Sequence, residues 1–310
     1  MLETPWMHWS VDDFLGSLGD WERPLFLIAH QDDEVAYGGL IQRLGPKTNF
    51  IYLTNGDGLH FEDNVTPEEY AEIRKAEAIN AVGAVGIPKA NVQCLDHSEV
   101  RIYRHFSYLQ KNPASIALHR GFFDRIRASV EEAVLDLKPD AIFTTAWQGG
   151  HPEHDLTHYF TRLAVDKLEQ VENRRVPFFH LPEYEYTIVI SFRFHPLYSG
   201  PRIKYSITDQ ELAGKQRIIE QYPSQLRLVA RFEKMLERIG KATKMFGLPA
   251  TPEDYLRIEE IGPVPPLLDY TRSTHWFDFA NYMFDDFDGI PVTFKRSIRP
   301  IIEAFPRKMS

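Results

Sequence analysis

Apolar residues along the chain gather first into short unbroken runs. PLFLIA (24–29) is uniformly apolar, the pattern of a strand covered on both faces. NFIYLT (49–54), NVQCLD (91–96), DAIFTT (140–145) and the start of VPFFHLP (176–182) read as further strands. Between these runs the period changes to that of a helix. EVAYGGLIQRLG (34–45) is closed by Gly45 and Pro46. TPEEYAEIRKAEAINAVGAVG (66–86) opens with Thr66 as N-cap, Pro67 at the first helical position and acids in the first turn. Helices are also expected around 115–138 and over 154–173. Strands alternating with helices predict an α/β fold, a Rossmann-like, doubly wound and mainly parallel sheet with helices on both faces.

After residue 182 the pattern loosens. YEYTIVISFRF (184–194) and RIKYSI (202–207) read as strands that could pair as a hairpin, followed by helices over about 208–221 and 224–246. From 249 the chain is rich in proline and aromatics, including Tyr270, Trp276, Phe277, Phe279, Tyr282, Phe284 and Phe287. The expected division is a domain over 1–248 and an extension over 249–310 packed on it, serving as core, lid or oligomer contact. The acidic run DDFDG (285–289) suits a solvated turn better than a calcium site.

Composition narrows the function classes. The 310 residues carry a net charge of −9, which argues against nucleic acid or an anionic membrane as partner. No window reaches the roughly 18 apolar residues of a membrane span. The N-terminus lacks the basic start and apolar stretch of a signal peptide, so a cytoplasmic protein is expected. The single cysteine, Cys94, permits no intrachain disulfide and no cysteine-rich metal site, and suits a small buried strand residue.

The chemistry lies where two strands end. PLFLIA runs straight into His30, Asp32, Asp33 and Glu34, and DAIFTT leads through a glycine-containing loop to His151, Glu153, His154 and Asp155. In a doubly wound sheet both sets lie beyond the carboxyl ends of strands, where ligands bind. A catalytic zinc takes three imidazole or carboxylate ligands and keeps a position for water. His30 and Asp33, three apart across a tight turn, could supply two, and His154 the third. Asp32 is then placed to accept a proton from water, and His151, as a cation, to stabilise an oxyanion or protonate a leaving amine. Iron, cobalt or nickel would suit the same ligands. The bland reading is that Asp32 to Glu34 cap a helix and each histidine is merely hydrogen-bonded.

AHQDDE (29–34) and GGHPEHD (149–155) resemble the paired motifs of the LmbE-like, or PIG-L, zinc-dependent N-deacetylases. TNGDG (54–58), Arg74 and Glu77 in an Arg-x-x-Glu pattern, and KQRIIEQYPSQ (215–225) resemble further marks of that family. The resemblance spans residues 24 to about 225. It implies removal of N-acetyl groups from N-acetylglucosamine-type glycoconjugates, with His30, Asp33 and His154 as ligands, Asp32 as base and His151 as oxyanion or acid residue. It also implies substrate contacts from Arg74 and Asp96, whose plainer readings are a salt bridge and a turn cap. Gln31 stands where the family has proline, and Glu153 where it has aspartate; Glu153 is expected to orient a neighbouring His or Asp32. Gly149 stands where some relatives carry tyrosine. Trp147 could wall a sugar site or belong to the core. His97 fits a solvated loop, and His180, His195 and His275 structural positions.

Three alternative readings compete with this one. An amidase acting on a larger acyl or cysteinyl amide would share the site. A nucleotide- or sugar-binding Rossmann-like protein needs a glycine-rich loop after the first strand, but Gly38 and Gly39 come too late. A serine hydrolase needs a Gly-x-Ser-x-Gly elbow, which the sequence lacks.

Overall fold

The computed structural model describes residues 4–185, 190–195, 197–227, 230, 231, 234, 251–272, 281, 282 and 289–307. Its centre is a sheet of strands β1 (Pro24–Ile28), β2 (Asn49–Thr54), β3 (Val92–His97), β4 (Ala141–Thr145), β5 (Phe178–Leu181), β8 (Ile203–Ser206) and β9 (Ile258–Pro263), in the order β3-β2-β1-β4-β5-β9-β8. β3, β2, β1, β4 and β5 run parallel, and β9 pairs antiparallel with both β5 and β8. The expected α/β class and doubly wound, mainly parallel sheet are therefore present. Residues 258–263, from the segment expected as an extension, form a strand inside this sheet. The expected hairpin is different. Tyr184–Glu185 (β6) pairs with Ile190–Ser191 (β7), whereas β8 pairs with β9. Most of the helix expected over 224–246 lies outside the described residues, as do His275, Trp276, Phe277, Phe279, Phe284, Phe287 and most of DDFDG.

The strands are covered on both faces because side chains alternate. Leu25, Leu27, Ile51, Leu53 and Ile142 pack against α5 (Ile116–Leu137) and α6 (Pro152–Glu172), together with Phe294, Ile298 and Ile301 from the C-terminal region. Phe26, Ile28, Phe50, Tyr52 and Phe143 face the other way, toward α2 (Gly38–Leu44), α3 (Pro67–Gly83) and α7 (Asp209–Glu220). α4 (Glu99–Lys111), unforeseen in the sequence, follows β3 on the first side.

Register turns four phenylalanines into a ladder across β2, β1, β4 and β5. Phe26 pairs with Phe50 and Phe143, and Phe143 with Phe179. Their rings stack at 5.1, 5.0 and 5.3 Å. Cross-strand aromatic pairs add to the burial of each ring. Phe143 is fully buried between two of them. Phe143→Ala is expected to cost about 3–5 kcal/mol, read as a lower midpoint in urea unfolding with an unchanged slope.

A buried ion pair anchors the chain that follows β1. Lys215 Nζ lies 3.1 Å from Glu259 Oε1 and also donates to the carbonyls of Ala36 and Leu256. Glu259 in turn accepts the N–H groups of Gly39 and Leu40 at 2.7 and 2.8 Å, at the start of α2. α7 and β9 thus grip the segment leading out of the first polar knot.

Candidate metal and catalytic centre

β1 lies between β2 and β4, so the connections out of β1 and β4 leave in opposite directions and open a crevice beyond their carboxyl ends. Both polar knots reach it. After β1 the chain makes a tight turn, and a 3-10 turn over Asp33–Tyr37 leads into α2. After β4 it passes through Gly149, at φ +72°, and enters α6 with His151 as N-cap.

His30 Nδ1 lies 3.1 Å from His154 Nε2. Asp33 Oδ1 lies 3.5 Å from His30 Nδ1 and 3.2 Å from His154 Nε2. A tetrahedral ion with bonds of about 2.0–2.1 Å sets its ligands about 3.3 Å apart. The three atoms therefore fit the ligand triangle of a divalent metal ion. Asp33 is aimed by its second oxygen, which accepts the N–H groups of Ala29 and His30 at 3.1 and 2.8 Å. His30 is aimed by Glu153, whose Oε2 lies 2.8 Å from His30 Nε2. Glu153, expected to orient a neighbouring His or Asp32, makes this contact with His30. Its other oxygen, Oε1, is buried and has no hydrogen-bond partner among the described residues.

Charge follows from this packing. Burial alone would raise Asp33, but His154 and His30 outweigh it and hold the carboxyl well below its usual range. Burial keeps His154 low, hence neutral with a lone pair available. Burial works against a cation at His30 too, yet Asp33 and Glu99 hold it well above the ordinary imidazole value. A metal ion at this triangle would displace that proton.

Asp32 sits beside the triangle at φ +121°, with Oδ2 3.3 Å from Arg74 NH2. Burial raises its carboxyl to about 6, with Arg74 pulling the other way. His151 accepts the N–H of Glu153 at Nδ1, 3.3 Å away, and its Nε2 lies 3.4 Å from the Tyr103 hydroxyl. Burial, then His30 and His154, hold His151 well below its ordinary value. That direction favours a neutral ring over the cation expected from the sequence, and with Nδ1 accepting from Glu153 the proton of such a ring sits on Nε2. His151 also lies within ligand reach of His30 and His154.

Of the remaining expected residues, Arg74 meets the cluster through Asp32, whereas Asp96 and Trp147 stand apart from it. Arg74 is buried and engaged by Asp32, Glu77 and Ser224. Asp96 is exposed and paired with Lys75 at 3.0 Å. Trp147 belongs to the core: its rings meet Tyr270 and Phe294 edge-on at 5.1 and 5.8 Å, and its N–H donates to the Arg272 carbonyl. Gln31 is fully buried and donates to the Thr54 carbonyl at 2.8 Å, tying the turn by a hydrogen bond where a proline would stiffen it. Cys94 is half-buried in β3 and donates to the same carbonyl, and His97 pairs with Ser129. Gly56, in TNGDG, is needed for two reasons: its φ is +77°, and a Cβ would sit 2.7 Å from Arg74 Cβ.

The sequence left several residues unread. Glu99 closes a second group with His30 and Glu153 whose ligand atoms lie within 4.8 Å of one another, and burial raises it to about 8. It stands just past β3, so the strand-end rule that found His30 would have found it. Tyr184 stacks on His154 with ring centroids 5.5 Å apart. Asp155 accepts the Gly149 N–H at 3.1 Å and the Tyr282 hydroxyl at 2.7 Å, joining the second loop to the C-terminal aromatic segment. Among the described residues no helix is long and apolar enough to cross a membrane.

Residues 25–165 match the PIG-L family model, described as GlcNAc-PI de-N-acetylase. No curated protein sequence matches the chain. Among solved structures, a deacetylase of the teicoplanin biosynthesis pathway is similar at 16% identity and a TM-score of 0.53, covering 78% of this chain and 97% of its own. The N,N'-diacetylchitobiose deacetylase from Pyrococcus horikoshii is similar at 14% identity and a TM-score of 0.50, covering 82% of this chain and 90% of its own. At these identities the likeness establishes a shared fold.

Proposed function

Since residues 25–165 match the PIG-L, GlcNAc-PI de-N-acetylase family model, we propose that the protein is a zinc-dependent hydrolase that removes an N-acetyl group from an amino sugar of the N-acetylglucosamine type. The observation that carries this reading is the triangle of His30 Nδ1, Asp33 Oδ1 and His154 Nε2, with Asp32 beside it. Support also comes from the two similar solved structures named above, each of them a deacetylase. Zinc held by these three residues would polarise the amide carbonyl and lower the pKa of water to about 7. Every other task falls to side chains of the chain itself. Asp32 takes the proton from the attacking water, and the Nε2–H of His151 donates to the oxyanion of the tetrahedral intermediate. Glu153 keeps His30 in one orientation. Asp32, now protonated, returns the proton to the leaving nitrogen, and acetate and a free amine result.

The test is acetate release from a panel of N-acetylated amino sugars, with metal-free and zinc-restored protein side by side. Release that requires zinc is the expected result. A larger acid released from bulkier amides, with no acetate, would move the reading to an acyl amidase. No release together with no metal binding would overturn it.

A further inference from the structure

Asp32 holds a backbone conformation that residues with a Cβ rarely adopt, at φ +121° and ψ −15°. Such a conformation persists only where its surroundings impose it, and two constraints converge here. The Asp32 N–H donates to Glu34 Oε2 at 3.2 Å. The other oxygen of Glu34, a fully buried side chain, accepts the hydroxyl of Tyr222. From the opposite side, Arg74 NH2 reaches the Asp32 carboxylate, and the Arg74 guanidinium lies 5.2 Å from the Tyr222 ring centroid. The four residues form a closed circuit: Asp32 to Glu34, Glu34 to Tyr222, Tyr222 to Arg74, Arg74 back to Asp32. Glu77 and Ser224 lock the arginine, with Arg74 NH1 3.1 Å from Glu77 Oε2 and 3.2 Å from Ser224 Oγ. Ser224 in turn donates to Glu77 at 2.6 Å.

We propose that Glu34, Tyr222 and Arg74 are positioning residues that fix the backbone and carboxylate of Asp32 as one unit. This rests on the reading of Asp32 as the base. It gives Arg74 a task other than holding substrate. It also accounts for the QYPSQ segment, whose Tyr222, 188 residues after Glu34, reaches the turn together with Ser224. Small misplacements of a reacting group are costly in rate, so a base in a strained turn gains from being held on both its main chain and its side chain.

The decisive variant is Tyr222→Phe, which keeps the ring under Arg74 and removes only the hydroxyl. In the zinc-loaded protein kcat is expected to fall by about 10–100-fold, the size seen when outer partners of a site are removed. KM should stay within about twofold, because the loss falls on the reacting geometry. Zinc content should not change. Glu34→Gln keeps an acceptor for the Asp32 N–H, with the Tyr222 hydroxyl free to turn and accept from the amide. It should therefore retain more kcat than Glu34→Ala. Wild-type kcat in Tyr222→Phe, a loss of zinc in step with kcat, or Glu34→Gln no better than Glu34→Ala would each overturn the proposal. A second readout needs no turnover: exchange of the Asp32 amide with solvent, followed by NMR in the metal-free protein, should quicken in Glu34→Ala. If the wild type releases no acetate, the proposed hydrolysis fails, and this exchange rate alone decides the circuit. Unchanged protection would remove it.

Discussion

Asp32→Asn is expected to lower kcat on the best N-acetylated amino sugar by about 10²–10⁴-fold while the protein keeps its zinc. The range is that of a lost general base. Asparagine has nearly the shape of aspartate and tolerates positive φ better than most residues, so the turn at φ +121° should survive. What it cannot do is take a proton. Metal retention follows because Asp32 contributes no atom to the triangle of His30, Asp33 and His154. Arg74 loses a charged partner but keeps Glu77 and Ser224, so folding should be little disturbed. The measurement pairs initial rates of acetate release with metal analysis of the same sample, and a melting curve confirms folding. Turnover at the wild-type rate would remove Asp32 from the base role.

How much of this was legible beforehand depends on how local each signal is. β1, β2 and β4 are continuous apolar runs, and burial on both faces is what such runs encode. The helix over Pro67–Gly83 announced its start through Thr66, Pro67 and two acids, and Thr66 does cap it, with Glu69 closing the box. β9 was not foreseen, because its two adjacent glutamates, Glu259 and Glu260, break the apolar run that marks the other buried strands. Both are buried: Glu259 by Lys215, Tyr205 and the start of α2, and Glu260 near Arg193 and Arg202. Those partners lie far away in the chain, and local propensity cannot foresee them. The hairpin error has the same origin, since β8 takes its partner from a strand the sequence did not reveal.

The site divides along the same line. His30, Asp33 and His154 meet because the ends of β1 and β4 are neighbours, and strand order in a doubly wound sheet makes that predictable. The charge state of His151 was not predictable, because it depends on burial and on two other imidazoles around it. Asp96 was singled out by the family resemblance and Trp147 by its place in the loop after β4, but direction decides. The Asp96 side chain turns to Lys75 at the surface, and Trp147 turns into the core. Glu99, three residues past Asp96, reaches the cluster from the start of α4.

His154→Ala is the prediction with the widest consequence, because it should remove metal, turnover and part of the stability together. His154 supplies one corner of the triangle, and its neutral ring is what burial selects there. Losing an orienting partner already costs about 10–100-fold in affinity, so losing a ligand should cost more. Zinc that binds the folded protein alone stabilises it by about 4 kcal/mol at a thousandfold excess over Kd. The wild type should therefore melt higher with zinc than without, and His154→Ala should melt at one temperature in both. The metal-free comparison matters, since the truncation leaves a cavity whose cost is present whether or not zinc is added. His97→Ala is the control: His97 pairs with Ser129, away from the triangle, and its removal should leave the zinc-dependent rise in place. A zinc-dependent rise of wild-type size in His154→Ala would place the metal elsewhere. The set within ligand reach of His30 and Glu153, completed by Glu99, would then be the first to test.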